Sequence, residues 1–105
     1  MRKVLVVIFL LISFPVFPQK KAEYNPGIWG VGNASCGNYL SSNNKNLYLS
    51  WFQGFVTGMN VMKNVAIGSN TDLEGAKVWF DKYCSENPIK SFGSAAAVLT
   101  TELQK

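Results

Sequence analysis

Apolar residues between positions 35 and 103 recur at helical spacing, and no run alternates between apolar and polar as a half-buried strand would. The longest helical pattern follows Asn46, a good helix cap, and extends to Val65. It places apolar side chains three or four residues apart along one face, at Leu47, Trp51, Phe55, Met59 and Met62. Further apolar residues cover much of the remaining circumference, at Leu49, Phe52, Val56 and Val65. The pattern predicts a central helix that is buried nearly all round.

Two glycines, Gly54 and Gly58, lie four residues apart within this predicted helix. Glycine inside a helix costs about 1 kcal/mol relative to alanine. We therefore expect another helix to cross closely at this point. A membrane helix with the same spacing would dimerise in lipid, but the apolar run is too short and polar residues interrupt it, at Asn46, Gln53, Asn60 and Lys63.

Three shorter helices are predicted around the central one. Ser35 is expected to cap a short helix that ends at the polar run 41–44. The capping-box pattern from Thr71 to Glu74 predicts the start of a third helix, with Thr71 as its cap. Asp81 and Lys82 are expected to face water on this helix, whose apolar stripe is Leu73, Ala76, Phe80, Tyr83 and Cys84.

The third helix is expected to stop at Asn87 and Pro88, and Ser91 to cap a fourth. The apolar stripe of that last helix is Phe92, Ala95 or Ala96, Leu99 and Leu103. The fold class predicted is all-α, a small domain of three to four helices.

The N-terminus has the pattern of a signal peptide. Arg2 and Lys3 precede the apolar stretch 4–14, which is too short to span a bilayer. We predict a signal peptide at 1–18, cleaved between Pro18 and Ala22, an irregular arm at 19–34 and a helical domain at 35–105. Trp29 is expected to anchor the arm by plugging the end of the core. An uncleaved anchor and a buried N-terminal helix are the alternatives for the leader.

The chain contains two cysteines, Cys36 and Cys84, which allow a single intramolecular pairing. Exported proteins mature in oxidising compartments, so a disulfide that joins the first short helix to the end of the third is expected. A loop of that length stabilises the fold by roughly 3 to 4 kcal/mol. A reactive thiol or an intermolecular bridge is the alternative.

The composition excludes several classes of function. The chain contains no histidine, which removes Ser-His and Cys-His nucleophile pairs and nearly all zinc sites. Asp72 and Glu74 could form an acid and base pair, but helix capping accounts for both. Removing Arg2 and Lys3 leaves 8 lysines against 6 acids, a net charge of +2, with the lysines scattered. We therefore expect no enzyme activity, no cofactor, no metal, no nucleic-acid binding and no stable membrane insertion after the leader is removed.

Four segments resemble the Rap/Tai immunity proteins: G-V-G-N-A-S-C-G-N-Y-L at 30–40, Y-L-S-W-F-Q-G-F-V-T-G-M-N at 48–60, V-W-F-D-K-Y-C-S-E-N-P at 78–88 and A-A-A-V-L-T-T-E-L at 95–103. These are small exported helical proteins that protect bacteria against peptidoglycan amidases delivered by type VI secretion. The resemblance implies a periplasmic or secreted protein that binds a cognate amidase toxin and plugs its catalytic cleft, commonly as a dimer.

The resemblance further implies that exposed loops between helices bind the partner. The first candidates are therefore in the segment 64–72, where the named residues are Asn64, Ser69, Asn70 and Asp72. A solvated connector with no partner is the alternative for this segment.

Two other kinds of protein share part of the pattern. Periplasmic acid-stress chaperones of the HdeA and HdeB type are also small, helical, exported and held by one disulfide. A chaperone activated by acid would be expected to carry more than the 6 acidic residues found here. A small lysozyme-like hydrolase would need a catalytic constellation that the sequence does not supply.

Overall fold

The computed structural model describes residues 27–105 and contains four α-helices in that range. They are α1 (Cys36–Ser41), α2 (Lys45–Lys63), α3 (Leu73–Glu86) and α4 (Phe92–Leu103), preceded by a 3₁₀ turn at Gly30–Asn33. The described residues form no strand, so the predicted all-α class is confirmed. The predicted signal peptide, 1–18, and residues 19–26 of the predicted arm lie outside the described residues. None of the helices in 27–105 has the length and apolar character needed to cross a membrane.

Serine caps start α1 and α4, as the sequence predicts. The Ser35 hydroxyl accepts the Asn38 N–H at 3.0 Å, and the Ser91 hydroxyl accepts the Ser94 N–H at 3.0 Å. Each hydroxyl satisfies an amide that has no partner within its helix. The third helix also ends where predicted, with Asn87 as the residue that follows its last turn.

Two predicted caps were wrong by one or two residues. The cap of α3 is Asp72, not Thr71: its carboxylate accepts the Gly75 N–H at 2.8 Å. Asp72 can perform the same hydrogen bonding as a threonine and adds a negative charge that suits the positive end of the helix. The central helix starts at Lys45 after Asn44, so Asn46 lies inside it.

Three aromatic rings with no solvent exposure form the centre of the core. Tyr39 of α1, Phe80 of α3 and Phe92 of α4 contact one another, with ring centroids 4.5 Å apart for Phe80 and Phe92 and 5.1 Å apart for Tyr39 and Phe92. Burying one such side chain stabilises the fold by about 1.5 to 3 kcal/mol. The predicted stripe of α4 is confirmed, because its buried residues include Phe92, Ala95, Ala96 and Leu99.

The predicted disulfide is present between Cys36, the first residue of α1, and Cys84, in the last turn of α3. Its two Cα atoms lie 4.8 Å apart, and both cysteines are fully buried. Backbone hydrogen bonds support the same junction: the Cys36 N–H donates to the Lys90 carbonyl at 2.7 Å, and the Phe92 N–H donates to the Ala34 carbonyl at 2.8 Å. The start of α1 is therefore bound to the connection between α3 and α4.

Asp81 does not simply face water, as the sequence had suggested. Its carboxylate accepts the Tyr39 hydroxyl at 2.7 Å and the Lys77 ammonium at 3.1 Å, and the Lys45 ammonium lies 3.9 Å away. The pKa of the Tyr39 hydroxyl is raised above its usual range. Burial is the largest cause, and the hydrogen bond to Asp81 and the negative charge of Asp81 add to it. Partial burial alone would raise the pKa of Asp81, but the bonds from Tyr39 and Lys77 and the charges of Lys77 and Lys45 together lower it.

The central helix is buried on one side of its N-terminal half only, which corrects the prediction of a helix buried nearly all round. Its buried residues are Tyr48, Leu49 and Phe52, whereas Val61 is 74% exposed and Met62 is 84% exposed. The 19 residues of α2 extend about 28 Å, but the 12 of α4 extend only about 18 Å. The last turns of α2 leave apolar side chains exposed. A Cβ added at Gly54 or Gly58 would meet nothing within 4 Å among the described residues, so the close helix crossing expected there was wrong for residues 27–105.

Trp29 does not plug the core, because its side chain is 82% exposed. Its backbone carbonyl instead accepts the Trp51 indole N–H at 2.6 Å. Ile28 packs inward, so close to Gly93 that a Cβ there would lie 2.9 Å from the Ile28 Cδ1. The segment 27–34 is thus held by Ile28 and by backbone hydrogen bonds.

Reduction of the disulfide, or the double substitution Cys36→Ser with Cys84→Ser, should destabilise the fold by about 4 kcal/mol because the bridge closes a loop of sequence separation 48. Thermal unfolding followed by circular dichroism, with and without reductant, measures the effect. The double variant should show no further response to reductant. An unchanged melting temperature on reduction would contradict this account of the bridge.

The charge on Asp81 should make stability depend on pH. Because its pKa is lowered in the folded state, its contribution is present above the ordinary value of 3.8 and is lost as pH falls through the folded value. The unfolding free energies of the wild type and of Asp81→Asn should therefore differ at neutral pH and converge below that value. Denaturant titrations between neutral pH and strong acid measure the two unfolding free energies. A difference that persists in strong acid would show that it does not come from the charge of Asp81.

Candidate functional site

The four candidate residues lie on one connection, residues 64–72 between α2 and α3, here called the 64–72 loop. Asn64 starts it in the left-handed backbone conformation, with φ of 56°. Asparagine tolerates this conformation better than most residues, and it commonly ends a helix. Asn64 is therefore the C-terminal cap of α2, a structural role that the sequence prediction did not assign to it.

The Asn60 side chain fixes the first part of the 64–72 loop. Its amide nitrogen donates to the Ile67 carbonyl at 3.1 Å, and its amide oxygen accepts the Ile67 N–H at 2.8 Å. The Asn60 backbone carbonyl also accepts the Val65 N–H at 3.1 Å. Ile67 is only 8% exposed, so these bonds satisfy buried backbone groups. One residue of α2 thus determines how the loop leaves the helix.

The second part of the 64–72 loop turns outward and carries the exposed tip. Gly68 has φ of 91°, and backbone hydrogen bonds run from the Ser69 N–H to Ala66 and from the Thr71 N–H to Gly68, at 3.3 and 3.2 Å. Ser69 and Asn70 are exposed. Their side chains form no hydrogen bond with the described residues, while the Asp72 carboxylate caps α3. Ser69 and Asn70 are therefore the candidates at the exposed tip with free polar side chains, and the exposed Asn64 side chain likewise bonds to no described residue.

An apolar groove of about 240 Å³ lies beside this tip. Its walls come from α2, the 64–72 loop, the start of α3 and the end of α4, and its apolar lining residues include Phe52, Val56, Ile67, Leu73 and Leu103. The structure brings Asp72 into the groove wall, whereas Asn64 does not line it. Sequence reasoning missed this groove, although Ile67, the apolar residue in the middle of a polar loop, was a signal for it.

The groove suits binding better than chemistry. Asp72 is the ionisable side chain that lines it, and its carboxylate is already engaged with the Gly75 N–H. Within residues 27–105, no group of three or more histidine, cysteine or acidic residues could hold a metal ion. An exposed amide and hydroxyl next to an apolar recess can recognise a surface that combines polar groups with an apolar anchor.

The fold and this site define a small all-α domain with one disulfide, an exposed polar loop tip and an adjoining apolar groove. No protein-family model, curated protein or solved structure matches the chain. The resemblance to the Rap/Tai immunity proteins therefore stays a prediction from the sequence segments.

Substitution of Asn60 should loosen the 64–72 loop. Asn60→Ala removes both side-chain bonds to Ile67 and should destabilise the fold by about 1 to 3 kcal/mol, because two backbone groups lose their partner. Hydrogen exchange of the Ile67 amide should become faster. Asn60→Asp, which keeps the acceptor for the Ile67 N–H, is the matched control and should protect that amide better. Equal exchange in the wild type and in both variants would show that the Asn60 side chain does not hold the loop.

Proposed function

We propose that this chain is a periplasmic immunity-type binding protein that neutralises a peptidoglycan-amidase toxin by occluding its active site. The observation that carries the proposal is the exposed tip at Ser69 and Asn70, which follows the part of the loop bonded to Asn60 and is flanked by an apolar groove. The segments that resemble the Rap/Tai proteins supply the class of partner.

A pre-shaped loop is well suited to filling a cleft. Ordering a flexible loop on binding costs free energy, about 0.5 to 1.5 kcal/mol for each side chain that becomes fixed. The 64–72 loop has most of its backbone already fixed by the Asn60 bonds and by the turn at Gly68. Its tip presents a hydroxyl and an amide, which can bond to polar groups inside an enzyme cleft.

The groove beside the tip supplies the apolar part of the contact. Binding energy in protein interfaces is concentrated where an apolar side chain of one partner fills a pocket of the other. Leu73 at 39% exposure offers apolar surface at the rim of the groove. A side chain at the edge of the toxin's cleft would fill the groove while the loop tip enters the cleft.

The proposed compartment fits the covalent structure. A fully buried disulfide between Cys36 and Cys84 suits an oxidising environment such as the periplasm. The predicted leader at 1–18 would provide the route of export.

The test is capture followed by inhibition. The processed, oxidised protein is used as bait in periplasmic extract, retained proteins are identified by mass spectrometry, and their peptidoglycan amidase activity is measured with and without the bait. The proposal expects an amidase that loses activity at a one-to-one ratio. Retention of many unrelated proteins only at low pH would replace it with acid-stress chaperone function, and peptidoglycan hydrolysis by the bait itself would replace it with an enzyme.

The loop tip should control affinity for the captured amidase. Ser69→Arg and Asn70→Arg place a long charged side chain at the proposed contact and should weaken binding at least tenfold, about 1.4 kcal/mol. Ser85→Arg, at an exposed position near the far end of α3, is the matched control and should bind as the wild type does. Titration calorimetry measures all three. Inhibition that survives both loop substitutions would place the interface elsewhere.

A further inference from the structure

The apolar groove beside the loop tip carries charge of one sign on its walls. Among the described residues that line it, Asp72 alone is ionisable, while Gln53 and Thr71 add neutral polar groups. The apolar part of the lining includes Phe52, Val56, Ile67 and Leu73. A side chain that fills this groove therefore meets apolar surface and one negative charge.

Asp72 uses only one of its two carboxylate oxygens within the described structure. Its Oδ1 accepts the Gly75 N–H at 2.8 Å, whereas its Oδ2 has no hydrogen bond or ion pair with residues 27–105. Apart from the neighbouring Glu74, the other acids in this range each bond to a lysine: Asp81 to Lys77, Glu86 to Lys82 and Glu102 to Lys105. Asp72 thus offers a free acceptor oxygen that no lysine of the described chain neutralises.

A second acceptor lies beside Asp72. A Cβ added at Gly75 would lie 2.9 Å from the Thr71 Oγ1 and 3.2 Å from the Asp72 Oδ1, so both oxygens stand close to the same point. The Thr71 hydroxyl forms no hydrogen bond within residues 27–105. A guanidinium group presents five N–H donors in one plane and is weakly hydrated, which suits several acceptors at the edge of an apolar recess.

We propose that the groove receives an arginine side chain of the partner, with its methylene stem against Ile67 and Leu73 and its guanidinium at the Asp72 Oδ2. The proposal rests on the proposed function, because it names the side chain of the toxin that fills the groove. Long basic side chains bury their stems along apolar surface and keep the charged head near water. Leu73, at 39% exposure, and Ile67, at 8%, supply that surface next to Asp72.

The start of α3 could in principle attract an anion instead, because the first N–H groups of a helix carry partial positive charge. Here that end already holds two carboxylates, Asp72 as the cap and Glu74 in the first turn. The Asp72 Oδ1 also occupies the Gly75 N–H. A further anion would meet two negative charges, so the local charge favours a cation.

Three small probes with stems of similar length test the groove without any protein partner. Butylguanidinium and butylurea share a stem and a planar head and differ in charge, and pentanoate carries the opposite charge. Each is titrated at low ionic strength into the processed, oxidised protein, and the amide shifts of Ile67, Leu73 and Gly75 are followed by NMR. Butylguanidinium should bind about threefold more tightly than butylurea, as one exposed ion pair allows, and pentanoate should bind least.

Two variants separate a contact with Asp72 from a general attraction to negative charge. Asp72→Asn keeps an oxygen that can cap α3 and removes the charge, so the preference for butylguanidinium should disappear while the melting temperature changes little. Glu74→Gln removes the same charge from a residue that does not line the groove, and should keep the preference. Equal loss of preference in both variants would overturn the contact with Asp72.

The probe titration and the capture of an amidase fail independently. Equal binding of butylguanidinium and butylurea would make the occupant purely apolar, and tightest binding of pentanoate would make the site one for anions. Either result overturns the arginine proposal and leaves the immunity function standing. If no amidase is captured but the charge preference follows Asp72, the groove still binds a basic side chain and the class of partner is wrong. With a captured amidase, Asp72→Asn should weaken binding and Glu74→Gln should not.

Discussion

The junction between the start of α1 and the connection from α3 to α4 is the constraint on which the rest of the structure depends. A helix of only six residues, as α1 is, does not persist alone in water. The Cys36–Cys84 disulfide and the backbone bonds from Cys36 to Lys90 and from Phe92 to Ala34 hold it in place. Once α1 is fixed, Tyr39 packs against both Phe80 and Phe92, and its hydroxyl reaches Asp81. Covalent, polar and apolar interactions therefore converge on one end of the domain.

The opposite end of the domain is built differently, because α2 is longer than its partners. Its N-terminal half supplies Tyr48, Leu49 and Phe52 to the core, and its C-terminal half leaves Val61 and Met62 exposed. The 64–72 loop follows this exposed half of the helix.

The polar interactions divide between structure and recognition. The side chains of Asn60 and Asp72 bond to backbone groups, at the start of the 64–72 loop and at the start of α3. Asn64 ends α2 through its left-handed backbone. Ser69 and Asn70 are left with their side chains toward solvent. Sequence alone could not separate these roles, because asparagine, serine and aspartate are suited to capping, turn formation and binding alike.

The sequence by itself determined the helices, the serine caps at Ser35 and Ser91, the inner stripe of α4 and the pairing of Cys36 with Cys84, since each depends on local periodicity, on local hydrogen bonding or on there being two cysteines. Only the tertiary structure decided which apolar residues are buried. Trp29, Val61 and Met62 have the same hydrophobicity whether or not a neighbouring helix reaches them, and that reach depends on relative helix lengths and packing. The groove beside the 64–72 loop has the same origin, because it forms only where α2, the loop and α3 fold back on one another and Leu103 at the end of α4 joins them.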